Sequence, residues 1–282
     1  MWSRGLISLK PSMCKMVMAI LCMASCMAVS IPAGWGQEKS AADLKEAREA
    51  QDKLDGALLY AVGIGEFESV NKFIAEGARI EVRDPDGMTP LMHAAANGSL
   101  NIVETLIREG AEVDLTDANG VSALMQASWA GYPRIVDVLM ANGANPNLRR
   151  TFEQSRLQKK GMTALMSAVM NGNVEIARML IKNGARINIQ DDEGESALSY
   201  AARGGYAELT KLLLSNGAYT EVKDKYGRTP LTVATIFQHP AVVGILLSAG
   251  ADPYTKDING TTPAKYAWAL GYRDILSSGS RR

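Results

Sequence analysis

The stretch "DGMTPLMHAAANGSLNIVETLIREGAEVDLTD", Asp86 to Asp117, returns in altered form at residues 119–150, 160–191, 193–224 and 226–257. The Gly-Ala pair near its end begins at Gly77, Gly110, Gly143, Gly184, Gly217 and Gly250, with spacings of 33, 33, 41, 33 and 33 residues. A fixed period of this length marks stacked repeats, with one unit lengthened by an insertion near 151–160.

A second marker runs in phase. Thr89, Ser122, Thr163, Ser196, Thr229 and Thr262 each precede an apolar stretch, and Pro90, Pro230 and Pro263 follow three of them. A hydroxyl at the N-cap accepts an orphan backbone N–H, and proline at the first helical position loses nothing, so a helix opens there in every unit. Nine residues on, glycine at 98, 131, 172, 205 and 271 turns the chain back into a second helix, as in "NIVETLIREG". Leu91, Leu124, Leu165, Leu198 and Leu231, with Ala94, Ala127, Ala168, Ala201 and Ala234, form the expected core. Between units, "AEVDLTDANG" and "AYTEVKDKYG" place Asp and Gly at turns and predict hairpin-like fingers.

Working outward, residues 1–36 read as an export signal or N-terminal anchor. Arg4, Lys10 and Lys15 precede the uncharged "MVMAILCMASCMAVSIPA", Met16 to Ala33. Three outcomes stay open: cleavage after Ser30 or Gly36, lipidation of Cys26 behind "MAS", or an uncleaved anchor. The expected location is the bacterial periplasm, with an envelope lipoprotein, an inner-membrane-anchored protein or a secreted one as alternatives. The three cysteines, Cys14, Cys22 and Cys26, all fall in this segment, which leaves no disulfide or thiol chemistry to the remainder. Residues 37–55 predict a polar capping helix, opened by a box of Ser40 and Asp43. Residues 56–276 hold the array of about seven units, and 277–282 a tail.

The units resemble ankyrin repeats: "GMTPLMHAAANGSLNIVETLIREGAEVD" and "GRTPLTVATIFQHPAVVGILLSAGADP" carry the Thr-Pro-Leu and Gly-Ala of that family in fixed phase, over about residues 52–276. The resemblance implies an all-α solenoid and a binding role rather than catalysis, with a protein partner lying on the concave face of fingers and first helices. One departure is that Met92, Met125, Met166, Ser199, Thr232 and Lys265 stand where the family often has histidine.

Other function classes find little support. Outside the first 36 residues 27 basic side chains face 30 acidic ones, which gives no case for nucleic acid. The two histidines, His93 and His239, lie four units apart, too far to share a metal or a proton relay. No phosphate loop or nucleophile elbow appears, and the recurring Asp84, Asp117, Asp191, Asp224 and Asp257 read as turn residues. The expectation is a non-enzyme and a monomer, with no cofactor, no small-molecule substrate and membrane contact only through an uncleaved or lipidated N-terminus.

Three features remain. Met92, Met125 and Met166 would either pack or form a ladder for a soft metal or for oxidation. The fifth and eighth residues from each N-cap share a face that the core leaves free, so His93, Gln126, Trp129, Met170, Tyr200 and Arg203 are the candidate groove. The insertion "NLRRTFEQSRLQKKGM" sets Arg149, Arg150, Arg156, Lys159 and Lys160 against Glu153 alone, the pattern of a basic arm toward an acidic partner or an anionic lipid surface. A periplasmic redox or metal-handling factor and a secreted effector or toxin-neutralising protein are the alternative functions.

Overall fold

The computed structural model describes residues 41–152 and 159–271. The chain divides into two units, 1–48 and 49–282. Of the first only the start of a helix is described, and its residues 42–48 are exposed. Residues 1–36, expected to be an export signal or anchor, together with Ser40, Glu153, Arg156 and the tail, lie outside the described residues.

That helix, α1 (Ala41–Ile64), runs unbroken through Asp55 and Gly56, so the capping segment and the first helix of the array are one element. With α2 (Phe67–Ala75) it completes the first helical pair. The following pairs are α3 (Pro90–Asn97) with α4 (Leu100–Arg108), α5 (Ala123–Ala130) with α6 (Pro133–Ala141), and α7 (Ala164–Met170) with α8 (Val174–Lys182). Then come α9 (Ala197–Gly204) with α10 (Ala207–Ser215), α11 (Pro230–Ile236) with α12 (Pro240–Ser248), and α13 (Pro263–Ala269). No helix among the described residues is long and apolar enough to cross a membrane.

Local chemistry fixes these boundaries. Each N-cap hydroxyl accepts the N–H three residues on, as Thr89 does from Met92 at 3.4 Å and Thr262 from Lys265 at 3.2 Å. Gly98, Gly131 and Gly205 end their helices in the left-handed conformation. The sixth unit has Gln238 there at φ 64°, the one non-glycine residue with positive φ among those described.

First helices pack on first helices and second on second along the stack. The predicted leucines and alanines are all buried, and so are Met92, Met125 and Met166. The methionine ladder is therefore core, filling the gaps between first helices, which removes the geometry that an open soft-metal or oxidation site requires.

Two hydrogen-bond ladders tie unit to unit. Side-chain oxygens of Glu81, Asp114, Asn147, Asn188 and Glu221 accept the backbone N–H of Glu112, Asn145, Arg186, Tyr219 and Asp252 in the following unit, at 2.7–3.1 Å. Asp55 on α1 supplies the same bond to Arg79 at 2.8 Å, so a helical residue opens the ladder. Asp55 also pairs with the Arg79 guanidinium. Burial alone would raise the Asp55 carboxyl, but the Arg79 and Gln51 bonds outweigh it and hold it below the ordinary range.

The second ladder runs through the finger tips. The N–H of Ala118, Thr151, Asp192, Lys225 and Ile258 donates to the carbonyl of Asp86, Asn119, Lys160, Glu193 and Tyr226 respectively, at 2.8–3.0 Å. The Thr151 N–H donates to the preceding finger and the Lys160 carbonyl accepts from the next, so this finger takes part in two neighbouring rungs.

Candidate functional site

The fingers close as expected. Asp84, Asp117, Asp191, Asp224 and Asp257 each accept two finger N–H groups on Oδ1, two and four residues on, at 2.8–2.9 Å. In three fingers the other oxygen reaches the fifth residue of the next first helix. His93 meets Asp84 at 2.8 Å, Tyr200 donates to Asp191 at 2.5 Å, and Tyr266 donates to Asp257 at 2.7 Å.

This corrects the proposed groove. In those three units the fifth position is not free: it folds back onto the finger. Tyr200 is 3 % exposed, and burial and then the Asp191 charge push its hydroxyl far above its usual pKa. Burial also raises Asp191, against the opposing effects of Tyr200 and Lys159. At Asp257 burial is outweighed by the Tyr266 hydroxyl and the Thr261 and Asn259 N–H groups, and its pKa is lowered. Sequence spacing identified the helix face but not the carboxylate reaching across to it.

The eighth position is the open row, with Trp129, Met170, Arg203 and Ile236 half-buried in four successive units. Trp129 and Gln126 wall a narrow cleft with Arg150 and Met162, and the Trp129 carbonyl accepts from Asn171 of the next unit at 2.6 Å. Phe237, exposed at the end of α11, lies 5.5 Å from the Arg203 guanidinium, an aromatic contact that the period did not single out.

The basic insertion is also corrected. Arg150 is 7 % exposed and stands at the base of its finger, in the place that aspartate takes in the others; burial lowers its pKa and the Asp117 charge opposes that. Arg149 and Lys160 both reach Asp192 at 3.3 Å. Lys159 pairs with Glu195 at 2.5 Å, and Glu195, 1 % exposed, takes Arg203 on its other oxygen. Burial is the leading cause of the lowered pKa of both Lys159 and Arg203. The described cations do not project as an arm: the acids of the fifth unit, more than 30 residues downstream, hold three of them.

His239 bonds the Arg203 carbonyl at 2.9 Å, a stacking contact between units. Among the described residues no group of three or more His, Cys, Asp or Glu is placed to hold a metal.

A family model for ankyrin repeats in three copies matches residues 58–150, 151–191 and 165–257. No curated protein gives a significant match. Among solved structures, the crystal structure of the human ASB11 ankyrin repeat domain aligns with a TM-score of 0.69 and 21% identity, over 80% of this chain and 98% of that one. Identity at that level speaks to fold alone. With the 33-residue period, the paired helices and the capped fingers all in phase with the model, this chain belongs to the ankyrin-repeat family.

Proposed function

We propose that this chain, like ankyrin repeats in general, is a protein–protein interaction module, a non-catalytic one that holds a protein partner against the eighth-position row, and that it does so in the cell envelope after export. The observation that carries the binding reading is the row itself. Trp129, Met170 and Ile236 stay half-buried while their neighbours on the same helices are spent on the core or the fingers, Arg203 lies in the same row but is paired with Glu195, and Trp and Met are types enriched in interfaces. Export rests on the charge pattern of residues 1–36.

Photo-crosslinkers at positions 129, 170, 203 and 236, with 104 and 211 on the second helices as controls, test the surface in an envelope fraction. The expected result is one protein captured from the row and not from the controls; capture from 104 or 211 alone would place binding on the other face. Mass spectrometry of the native protein tests export. Loss of roughly the first 25 to 36 residues is expected, a diacylated Cys26 would assign a lipoprotein, and an intact Met1 on a cytoplasmic protein would overturn the location.

A further inference from the structure

Seven Asn-Gly pairs occur in the chain, at Asn97, Asn119, Asn142, Asn171, Asn183, Asn216 and Asn259. Glycine after asparagine leaves the next backbone nitrogen unshielded, which makes this pair the most prone to self-modification: the nitrogen loses its proton and attacks the asparagine Cγ. Ammonia leaves, a five-membered imide forms, and water opens it at either carbonyl to give aspartate or isoaspartate. The reaction requires that the side-chain amide be free to turn and that the local backbone open.

The fold separates the seven. Five lie at helix ends, where the side-chain amide is tied down: Asn142, Asn183 and Asn216 donate to Val138, Met179 and Leu212 carbonyls of their own helices at 2.8–2.9 Å. Asn97 and Asn171 donate to Gly63 and Trp129 carbonyls of the preceding unit at 2.9 and 2.6 Å. Asn119 and Asn259 occupy equivalent finger tips, and neither side-chain amide is so held. Asn119 is clamped through its backbone, whose carbonyl accepts from Thr151 at 2.8 Å and Phe152 at 3.3 Å, and a Cβ on Gly120 would meet Thr151 at 2.6 Å. Among the described residues Asn259 is the exposed last rung of the finger ladder: its carbonyl receives no such bond, and none of those residues lies within 4 Å of a Cβ on Gly260.

We propose that Asn259 is the site at which this protein modifies itself, converting to aspartate and isoaspartate while the other six pairs are protected by the fold. The change adds a carboxylate to the last finger, and the isoaspartyl form adds a carbon to its main chain, one residue after the Ile258–Tyr226 rung. The inference does not rest on the binding reading.

Incubating the intact protein at mildly alkaline pH, followed by digestion and peptide mapping, tests it. The peptide holding Asn259 is expected to gain one mass unit and split into two isomers severalfold faster than the peptide holding Asn119. In urea the seven should convert at similar rates, and Asn259→Gln should abolish the early signal. Conversion of Asn119 or of any helix-end asparagine as fast as Asn259 in the folded protein overturns the proposal. So does survival of Asn259 in the native state at the rate of those protected sites.

Discussion

At Gly205 two demands fall on one missing methyl group. Its φ of 71° suits glycine, and a Cβ there would lie 2.5 Å from the His239 ring that crosses from the next unit. Gly217, at φ 87°, makes only the first demand, because its surroundings are open. Gly205→Ala should therefore lose more stability than Gly217→Ala by about 1–3 kcal/mol, the usual cost of overpacking, measured by denaturant unfolding. Charge gives a second test at the same scale. Asp55 and Asp257 have pKa values lowered in the folded chain, so their stabilisation is present above the unfolded value of about 3.9 and is lost as pH falls through the lower folded value. Asp257→Asn should be less stable than the parent at neutral pH, and the gap should close on acidification. A gap independent of pH would show that the Tyr266 and finger bonds do not favour the charged form.

Glu195 joins Lys159, at the end of the insertion, to Arg203 on the ninth helix. Glu195→Ala would strand Lys159 and Arg203 without their shared acid, a loss at the low end of about 3–5 kcal/mol, since Arg203 keeps some solvent. Asp192→Ala removes only exposed pairs with Arg149 and Lys160 and should cost less than about 1 kcal/mol. Equal thermal shifts for the two variants would contradict the assignment of Glu195 as the anchor. At this scale the sequence is legible in part. Thr89 and its counterparts, Gly98 and its counterparts, and the Leu and Ala columns announce themselves because each obeys a local rule repeated at a fixed spacing. Tyr200, Arg150 and Lys159 were misjudged for one reason: their partners Asp191, Asp117 and Glu195 sit on a finger or in another unit. Only the closed turn brings Asp191 and Glu195 within bonding distance of Tyr200 and Lys159 and sets the Asp117 charge near Arg150. The open row at position eight was half visible, since the period defines its face but not which residue on that face the finger claims.

For the array as a whole, stability passes from neighbour to neighbour, because each unit packs on the one before and the one after. Leu165→Ala, in the fourth unit, takes buried volume from both adjoining interfaces and should cost about 2–5 kcal/mol. Hydrogen exchange should then rise in the third and fifth units before it rises at α2. Protection lost evenly along the array would argue for a single core rather than a stack. Recognition follows the same layout. Trp129→Ala should weaken a partner seated on the row by about 2 kcal/mol or more, mainly through faster release.

The finger ladder has a use beyond holding the array together. Thr151 and Lys160 sit on consecutive rungs, bonded to Asn119 of the finger before and Asp192 of the finger after. The junction is thus a ready splice point: a foreign loop, such as an epitope or a sensor peptide, could replace residues 152–158 and inherit two fixed ends, with Lys159 kept to satisfy Glu195.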